Sequence, residues 1–140
     1  MRWMLERLAM SGVALSWVIL LSGCGGSVYR TAPVGGTVTY QGKPVTSGTV
    51  TFVPETPGPA ASGAIRPDGT YVLSTDGVPG AVPGRYTVMI ISLGNTAGVL
   101  PEQRNPLPPL RLPEKYSNNR RSGLTAEVLD RDNVINFALP

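Results

Sequence analysis

Hydrophobic and polar residues alternate one by one along most of the chain after residue 36, which is the period of a β-strand with one buried face. Near the start of this region, GTVTY places Val38 and Tyr40 on one face, and GTVTF does the same with Val50 and Phe52. Four further alternating runs place their apolar residues inward: Tyr71 and Leu73; Tyr86, Val88 and Ile90; Leu124, Ala126 and Val128; Ile135, Phe137 and Leu139. The pattern predicts an all-β sandwich of short strands.

Glycine and proline separate these runs and indicate where the chain turns. In RPDGTY, Pro67 fixes φ, Asp68 can accept a backbone hydrogen bond, and Gly69 suits a left-handed position. The segment therefore predicts a turn that joins a strand near 64–66 to one at 70–74. With 17 glycines and 14 prolines in the chain, we expect no amphipathic helix after residue 24.

The first 23 residues follow a different pattern. Arg2 and Arg7 precede an apolar run over 8–21, and small residues come next. The run is shorter than the ~20 apolar residues of a membrane span and contains polar and glycine interruptions. Residues 1–23 are therefore predicted to be a secretory signal peptide that is removed on export.

Leu21, Ser22, Gly23 and Cys24 resemble the lipobox of bacterial lipoproteins. The resemblance implies that the signal peptidase recognises the first three residues and that the Cys24 thiol and new amino group receive palmitate-type acyl chains. One chain anchors a protein weakly, so two or three are needed. Gly25, where aspartate would imply retention at the inner membrane, favours the outer membrane. The alternative is that Cys24 is an ordinary small residue in an uncleaved anchor.

The remaining chain divides into a tether and one domain. Residues 24–35 are predicted to form the lipidated N-terminus and tether, and 36–140 the sandwich, with a proline-rich loop over 94–116. Removal of Arg2, Glu6 and Arg7 lowers the formal charge by one from +3. The mature protein is then nearly neutral, which does not favour binding to nucleic acid.

Three segments carry a further resemblance: GTVTYQGKPVTSGTVTFVP, DGTYVLS and VPGRYTVMI are similar to the carboxypeptidase regulatory-like family. The family implies a transthyretin-like (prealbumin-like) sandwich of about seven strands and an extracytoplasmic, non-catalytic role. PEKYSNNRRSGLTAEVLDRDNVINFAL resembles the closing strands of small lipoproteins from planctomycete-type bacteria. The enzymatic branch of the fold, the hydroxyisourate hydrolases, needs histidines and a C-terminal Tyr-Arg-Gly-Ser, whereas this chain has no histidine and ends in NFALP.

Few side chains suggest catalysis. Without histidine and with a single cysteine, histidine-dependent triads and Cys/His zinc sites are excluded. Asp130 and Asp132, beside Asn133, faintly resemble the start of a calcium loop but lack its glycine and closing glutamate, so an acidic turn is expected. Asp68 and Asp76 adjoin glycines and are expected to form turns. We therefore predict no catalytic residue, metal site or cofactor.

The segment LPEQRNPLPPLRLPEKYS is too irregular for a strand and has five prolines between Pro101 and Pro113. Pro106, Pro109 and Arg111 fit a PxxPxR pattern, and Leu107 and Leu110 would share a face of a polyproline II helix. Two interpretations stay open: a stiff crossover packed on the sandwich, or a docking site for an envelope partner.

The sequence as a whole predicts a non-catalytic, lipid-anchored cell-envelope protein that is structural or binds protein or glycan. An extended peptide would bind at an exposed edge strand. Two alternatives are a carrier of a small apolar ligand between the sheets and a metal-dependent hydrolase using Asp130, Asp132 or Asp76.

Overall fold

A computed structural model of the chain describes residues 29–94 and 111–140. The predicted signal peptide, the lipobox with Cys24, and the prolines and leucines at 101–110 lie outside these residues. Within the two described ranges the fold is all-β with two sheets, and the helical element is one 3-10 turn, Glu114–Ser117. The helices found in these ranges include none with the length and hydropathy needed to cross a bilayer.

The described ranges contain more strands than the seven that the family resemblance implies, because several strands have only two or three residues. They are β1 (Val34–Tyr40), β2 (Lys43–Pro44), β3 (Gly48–Pro54), β4 (Ala61–Ile65), β5 (Thr70–Val72), β6 (Ser74–Thr75), β7 (Val78–Pro79), β8 (Gly84–Ile91), β9 (Leu124–Val128), β10 (Asn133–Val134) and β11 (Phe137–Leu139).

The first sheet is centred on β1, which pairs antiparallel with β2 and β5 and parallel with β10 and β11. The second sheet is antiparallel and has the order β7-β6-β4-β3-β8-β9. The chain passes from the first sheet to the second at Leu73, between β5 and β6. This crossing splits the single strand that the sequence predicts over 70–74.

The predicted inward faces form the core between the two sheets. Eleven of the predicted inward residues are buried: Val38, Val50, Phe52, Tyr71, Leu73, Tyr86, Val88, Ile90, Val128, Phe137 and Leu139. Tyr40, Leu124, Ala126 and Ile135 are partly buried and pack against them. The Phe52 ring lies at the centre, with centroid distances of 6.5 Å to Tyr71, 5.6 Å to Tyr86 and 6.0 Å to Phe137. The period-two prediction is therefore confirmed for these strands.

The folded domain includes the last residues of the predicted tether 24–35. Ala32 exchanges backbone hydrogen bonds with Ala81, and both residues are buried. Val34 begins β1 and is 1% exposed. The lower limit of 36 is therefore too late, because Ala32 and Val34 are apolar and alternate in phase with the buried residues of β1.

The first sheet has a break between β10 and β11, at Ile135 and Asn136. The Asn136 side-chain oxygen accepts a hydrogen bond from the Thr37 backbone N–H at 2.9 Å and so replaces a strand carbonyl there. The Ile135 carbonyl accepts the Tyr71 hydroxyl at 2.6 Å. A Cβ on Gly36 would lie 1.8 Å from that carbonyl oxygen, so only glycine fits at this position in β1.

Candidate binding site

The acidic residues that adjoin glycines lie in turns, as the sequence predicts. Asp68 Oδ1 accepts hydrogen bonds from the Thr70 hydroxyl at 2.6 Å and the Thr70 N–H at 3.0 Å. These two hydrogen bonds lower the pKa of Asp68, and the bond from the Thr70 hydroxyl has the larger effect. Gly69 has φ +86°, and Asp76 lies in the β6–β7 turn with φ 49°. Asp68 and Asp76 are therefore turn residues.

Asp130 and Asp132 lie in the turn that joins β9 to β10. The carboxylate of Asp130 pairs with the Arg30 guanidinium at 2.9 Å, and both side chains are exposed. The Asn133 side chain accepts from the Leu129 N–H and donates to the Leu129 carbonyl, each at 2.9 Å. Within 29–94 and 111–140 no three His, Cys, Asp or Glu side chains are grouped as metal ligands.

The edges of the two sheets differ in how they are protected against pairing with another chain. Proline and lysine are the usual protections of an edge strand. β7 is two residues long and contains Pro79, and β2 contains both Lys43 and Pro44. β9 has five residues, LTAEV, without proline, glycine or lysine, and the strand pairings of the described chain join it only to β8.

The direction of the backbone groups of β9 follows from a hydrogen bond on the far side of β8. Glu55 N–H donates to the Arg85 carbonyl at 3.0 Å, so the backbone groups of Arg85 point toward β3. Backbone groups alternate along a strand, so those of Tyr86 point toward its β9 partner, Ala126. The N–H and C=O groups of Thr125 and Glu127 consequently point away from β8. β9 thus presents two outward donors and two outward acceptors.

Two contacts fix β9 and β8 in this position. The Ser122 hydroxyl donates to the Val88 carbonyl and accepts from the Leu124 N–H, which connects the start of β9 to β8. The Tyr86 hydroxyl donates to the Val82 carbonyl at 2.6 Å, and burial raises the pKa of Tyr86. Ser122 therefore holds the start of the edge strand against β8.

A shallow depression of about 450 Å³ lies beside β9 on the outer face of the second sheet. It is lined by Glu55, Arg85, Thr125, Ala126 and Glu127. Glu127 faces Arg85 across the β8–β9 pair. With two carboxylates and one guanidinium, the depression carries a net negative charge and favours a basic side chain.

A second surface lies at the opposite end of the sandwich, where β1 turns into β2. This basic groove has a volume of about 220 Å³ and is lined by Tyr40, Gln41, Lys43, Pro44, Val45, Thr46, Arg111 and Leu112. Arg111, one of the residues of the PxxPxR pattern, is bonded to the sandwich through its N–H, which donates to the Ser92 carbonyl at 2.7 Å. This bond joins Arg111, inside the predicted proline-rich loop, to Ser92, just before that loop begins.

The sequence alone does not indicate β9 or the basic groove as binding sites. The absence of proline and lysine from LTAEV was a visible signal, but the edge position depends on pairing between strands far apart in sequence. Lys43 and Arg111 are 68 positions apart, and only the folded chain brings them to one groove.

Comparison of the chain with protein-family models, with curated proteins and with solved structures finds no match in any of the three.

Proposed function

We propose that this chain is a lipid-anchored, non-catalytic protein of the cell envelope that binds an extended peptide segment of another envelope protein along β9. The observation that carries the proposal is the outward direction of the Thr125 and Glu127 backbone groups on an edge without proline or lysine. An added strand obtains its affinity from such main-chain hydrogen bonds.

The acidic side chains beside β9 favour peptides that contain Lys or Arg. Thr125 and Glu127 are exposed on the outer face, and Glu55 lies in the same depression. Side chains of an added strand alternate between the two faces. A partner with Lys or Arg on the outer face would therefore approach Glu127 and Glu55, and opposite charges at neighbouring strand positions contribute roughly 0.2–1 kcal/mol.

The position of residue 29 supports anchoring through Cys24. The N-terminal end of β1 lies at the end of the sandwich where Ala32 bonds to Ala81 and Arg30 pairs with Asp130. The backbone from Cys24 to Tyr29 can reach at most about 18 Å. An acylated Cys24 would therefore hold this end of the domain close to the bilayer, with β9 beside it and the basic groove at the far end.

The architecture supports the family resemblance at the level of fold class. The family implies a transthyretin-like sandwich, and the described residues form two β-sheets with the predicted strands in them. Extracytoplasmic modules of this kind act through their surfaces, which accords with a binding role for β9. The carrier alternative is less favoured, because the rings of Phe52, Tyr71 and Phe137 pack against one another between the sheets.

The proposal is tested by Thr125→Pro with Thr125→Val as its matched control. Proline removes an outward N–H and leaves the β8 pairing in place, whereas valine keeps the N–H and the strand propensity. Heptapeptides selected from a displayed random library on the full-length protein should bind wild type and Thr125→Val. They should lose at least tenfold in affinity for Thr125→Pro, and Lys or Arg should recur at alternate positions.

Equal binding to the two variants, or a library that yields no binder to the wild-type protein, would contradict a peptide site at β9. Thermal unfolding of Thr125→Pro provides the folding control. If selected binders are absent and the protein instead forms dimers that Thr125→Pro disrupts, the occupant of the edge is a second copy and the proposed partner is wrong.

A further inference from the structure

We propose that the basic groove binds an acidic saccharide, meaning a sugar chain that carries carboxylate groups. The groove lies at the end of the sandwich remote from residue 29 and shares no lining residue with the depression beside β9. The inference therefore does not depend on peptide binding at β9.

The two walls of the groove come from distant parts of the chain and are both fixed to the sandwich. One wall is the β1–β2 hairpin, in which Tyr40 pairs with Lys43 and the Gln41 N–H donates to the Leu139 carbonyl at 2.9 Å. The other wall is Arg111 and Leu112, positioned by the bond from Arg111 N–H to the Ser92 carbonyl. The groove is thus a preformed feature rather than a gap between loose side chains.

Among the described residues, no carboxylate neutralises the positive charge of the groove. Lys43 and Arg111 are exposed, and no carboxylate is among the lining residues. The ion pair found in the described chain joins Arg30 and Asp130, and it involves neither of these cations. Arg111 Nη1 makes one long hydrogen bond, 3.4 Å, to the Thr46 hydroxyl, so most of its five donors stay available. Both cations line the same groove, so an anion bound there would be attracted by both.

The floor and rim of the groove favour a sugar over a bare ion. Val45 and Leu112 are 7% and 5% exposed and form an apolar floor that suits the C–H face of a pyranose. On the rim, the Gln41 amide donates to the Tyr40 hydroxyl at 3.4 Å, which leaves donors and acceptors for sugar hydroxyls. At about 220 Å³ the groove is smaller than a drug-sized pocket, and it suits one ring of a longer chain.

The hairpin turn carries backbone strain at the groove. Gln41 has φ 50° and Gly42 has φ 76°, so both central residues of the turn are left-handed. Asparagine, aspartate or glycine is the usual residue at the first of these positions, and glutamine there is sterically costly. Strained positions of this kind cluster at binding sites. In this left-handed conformation, the Gln41 side-chain amide lies beside the Tyr40 hydroxyl.

A phosphate-bearing lipid headgroup shares the anionic chemistry, but the anchor of the proposed lipoprotein lies at the other end of β1. The experiment therefore includes both sources. Full-length protein is titrated with trigalacturonate, with uncharged maltotriose, with inorganic phosphate and with vesicles of phosphatidylglycerol, and binding is followed by calorimetry. Trigalacturonate should bind most tightly, and its affinity should fall as salt rises.

Lys43→Gln and Arg111→Gln remove one charge each from the groove, and Arg121→Gln removes one charge from a residue outside the groove lining. Each groove variant should weaken trigalacturonate binding about two- to fivefold, as expected for exposed charge pairs, and Arg121→Gln should leave it unchanged. Thr125→Pro should also leave it unchanged. Equal affinities across the groove variants and Arg121→Gln, or binding of phosphate or vesicles alone, would overturn the proposal.

Discussion

At the scale of single residues, the sandwich depends on positions in both sheets where a neighbouring backbone leaves no room for a side chain. A Cβ on Gly36 would lie 1.8 Å from the Ile135 carbonyl oxygen, and one on Gly63 would lie 2.1 Å from the Val72 carbonyl oxygen. Backbone atoms cannot move aside as the end of a flexible side chain can. These glycines therefore set how closely β1 approaches the break between β10 and β11, and how closely β4 approaches β5.

We expect Gly36→Ala to destabilise the protein by about 1–3 kcal/mol, the usual cost of overpacking. Urea unfolding measured by tyrosine fluorescence would give the free energy of unfolding. Gly58→Ala is the matched control, because the nearest atom to its added Cβ would be 3.9 Å away. Equal stability of the two variants would show that the contact between β1 and Ile135 is not as close as described.

Because of Tyr71, we expect the free energy of unfolding to fall as the pH rises above 10. It is 1% exposed, its hydroxyl donates to the Ile135 carbonyl, and burial raises its pKa above the ordinary value of 10.0. The unfolded chain then releases this proton near pH 10 while the folded chain keeps it. The stabilisation is fully present below pH 10 and is lost as pH rises above 10, by up to about 1.4 kcal/mol per pH unit for one tyrosine.

Tyr71→Phe should therefore lower the free energy of unfolding at pH 7 by about 1 kcal/mol, through the lost hydrogen bond. Above pH 10 the variant should lose stability with pH less steeply than wild type. Chemical unfolding at several pH values between 8 and 11.5 would measure both slopes. Parallel slopes for the two proteins would contradict the buried, hydrogen-bonded state of Tyr71.

The turn at Asp68 and Gly69 was predictable at this scale, and the position of Gly36 was not. The Asp68 carboxylate bonds to Thr70, two residues away, so the local sequence contains all the chemistry of that turn. Gly36 contacts Ile135, which is 99 positions along the chain. No local pattern distinguishes Gly36 from the neighbouring Gly35.

At the scale of elements, the buried faces of the longer strands followed from the sequence, while the pairing of the strands did not. Alternation is a local property, and it identified the buried residues of β3, β8 and β11 and, in β1, Val38 but not Val34. The parallel pairing of β1 with β10 and β11 joins the two ends of the domain, and nothing in either segment specifies it. In the same way, the sequence of β9 does not show that it is an edge strand, because that position depends on the pairing of the other strands.

The connection between β9 and β10 depends on the side chain of Asn133. Its amide bonds to the Leu129 N–H and carbonyl, and its nitrogen lies 3.2 Å from the Pro33 carbonyl oxygen. One side chain thus joins the turn that contains Asp130 to the residue before β1. The turn places β9 and β10 in different sheets.

We expect Asn133→Ala to destabilise the protein by about 0.5–1.5 kcal/mol, because the hydrogen bonds of its side chain to exposed backbone groups are lost. Asn133→Asp keeps the oxygen that accepts from Leu129 N–H but cannot donate, so its loss of stability should be intermediate. Amide hydrogen exchange should show faster exchange at Leu129 in Asn133→Ala than in wild type. Unchanged exchange at Leu129 would contradict the account of this turn.

At the scale of the whole molecule, the two proposed binding surfaces occupy different places relative to the chain start. β9 borders the turn that pairs with Arg30, near residue 29, and the basic groove lies at the far end of β1. Anchoring through Cys24 would direct the groove away from the bilayer and keep β9 close to other anchored proteins. The lipobox that suggests this arrangement is a local signal of four residues, so it was available from sequence alone.

Intact-mass spectrometry of the protein purified from its native membranes tests the central claim of a lipid-anchored module most directly. The account predicts a chain that begins at Cys24 and carries the added mass of a diacylglyceryl group and an amide-linked acyl chain. A mass corresponding to a chain that still begins at Met1, with an unmodified cysteine, would contradict it.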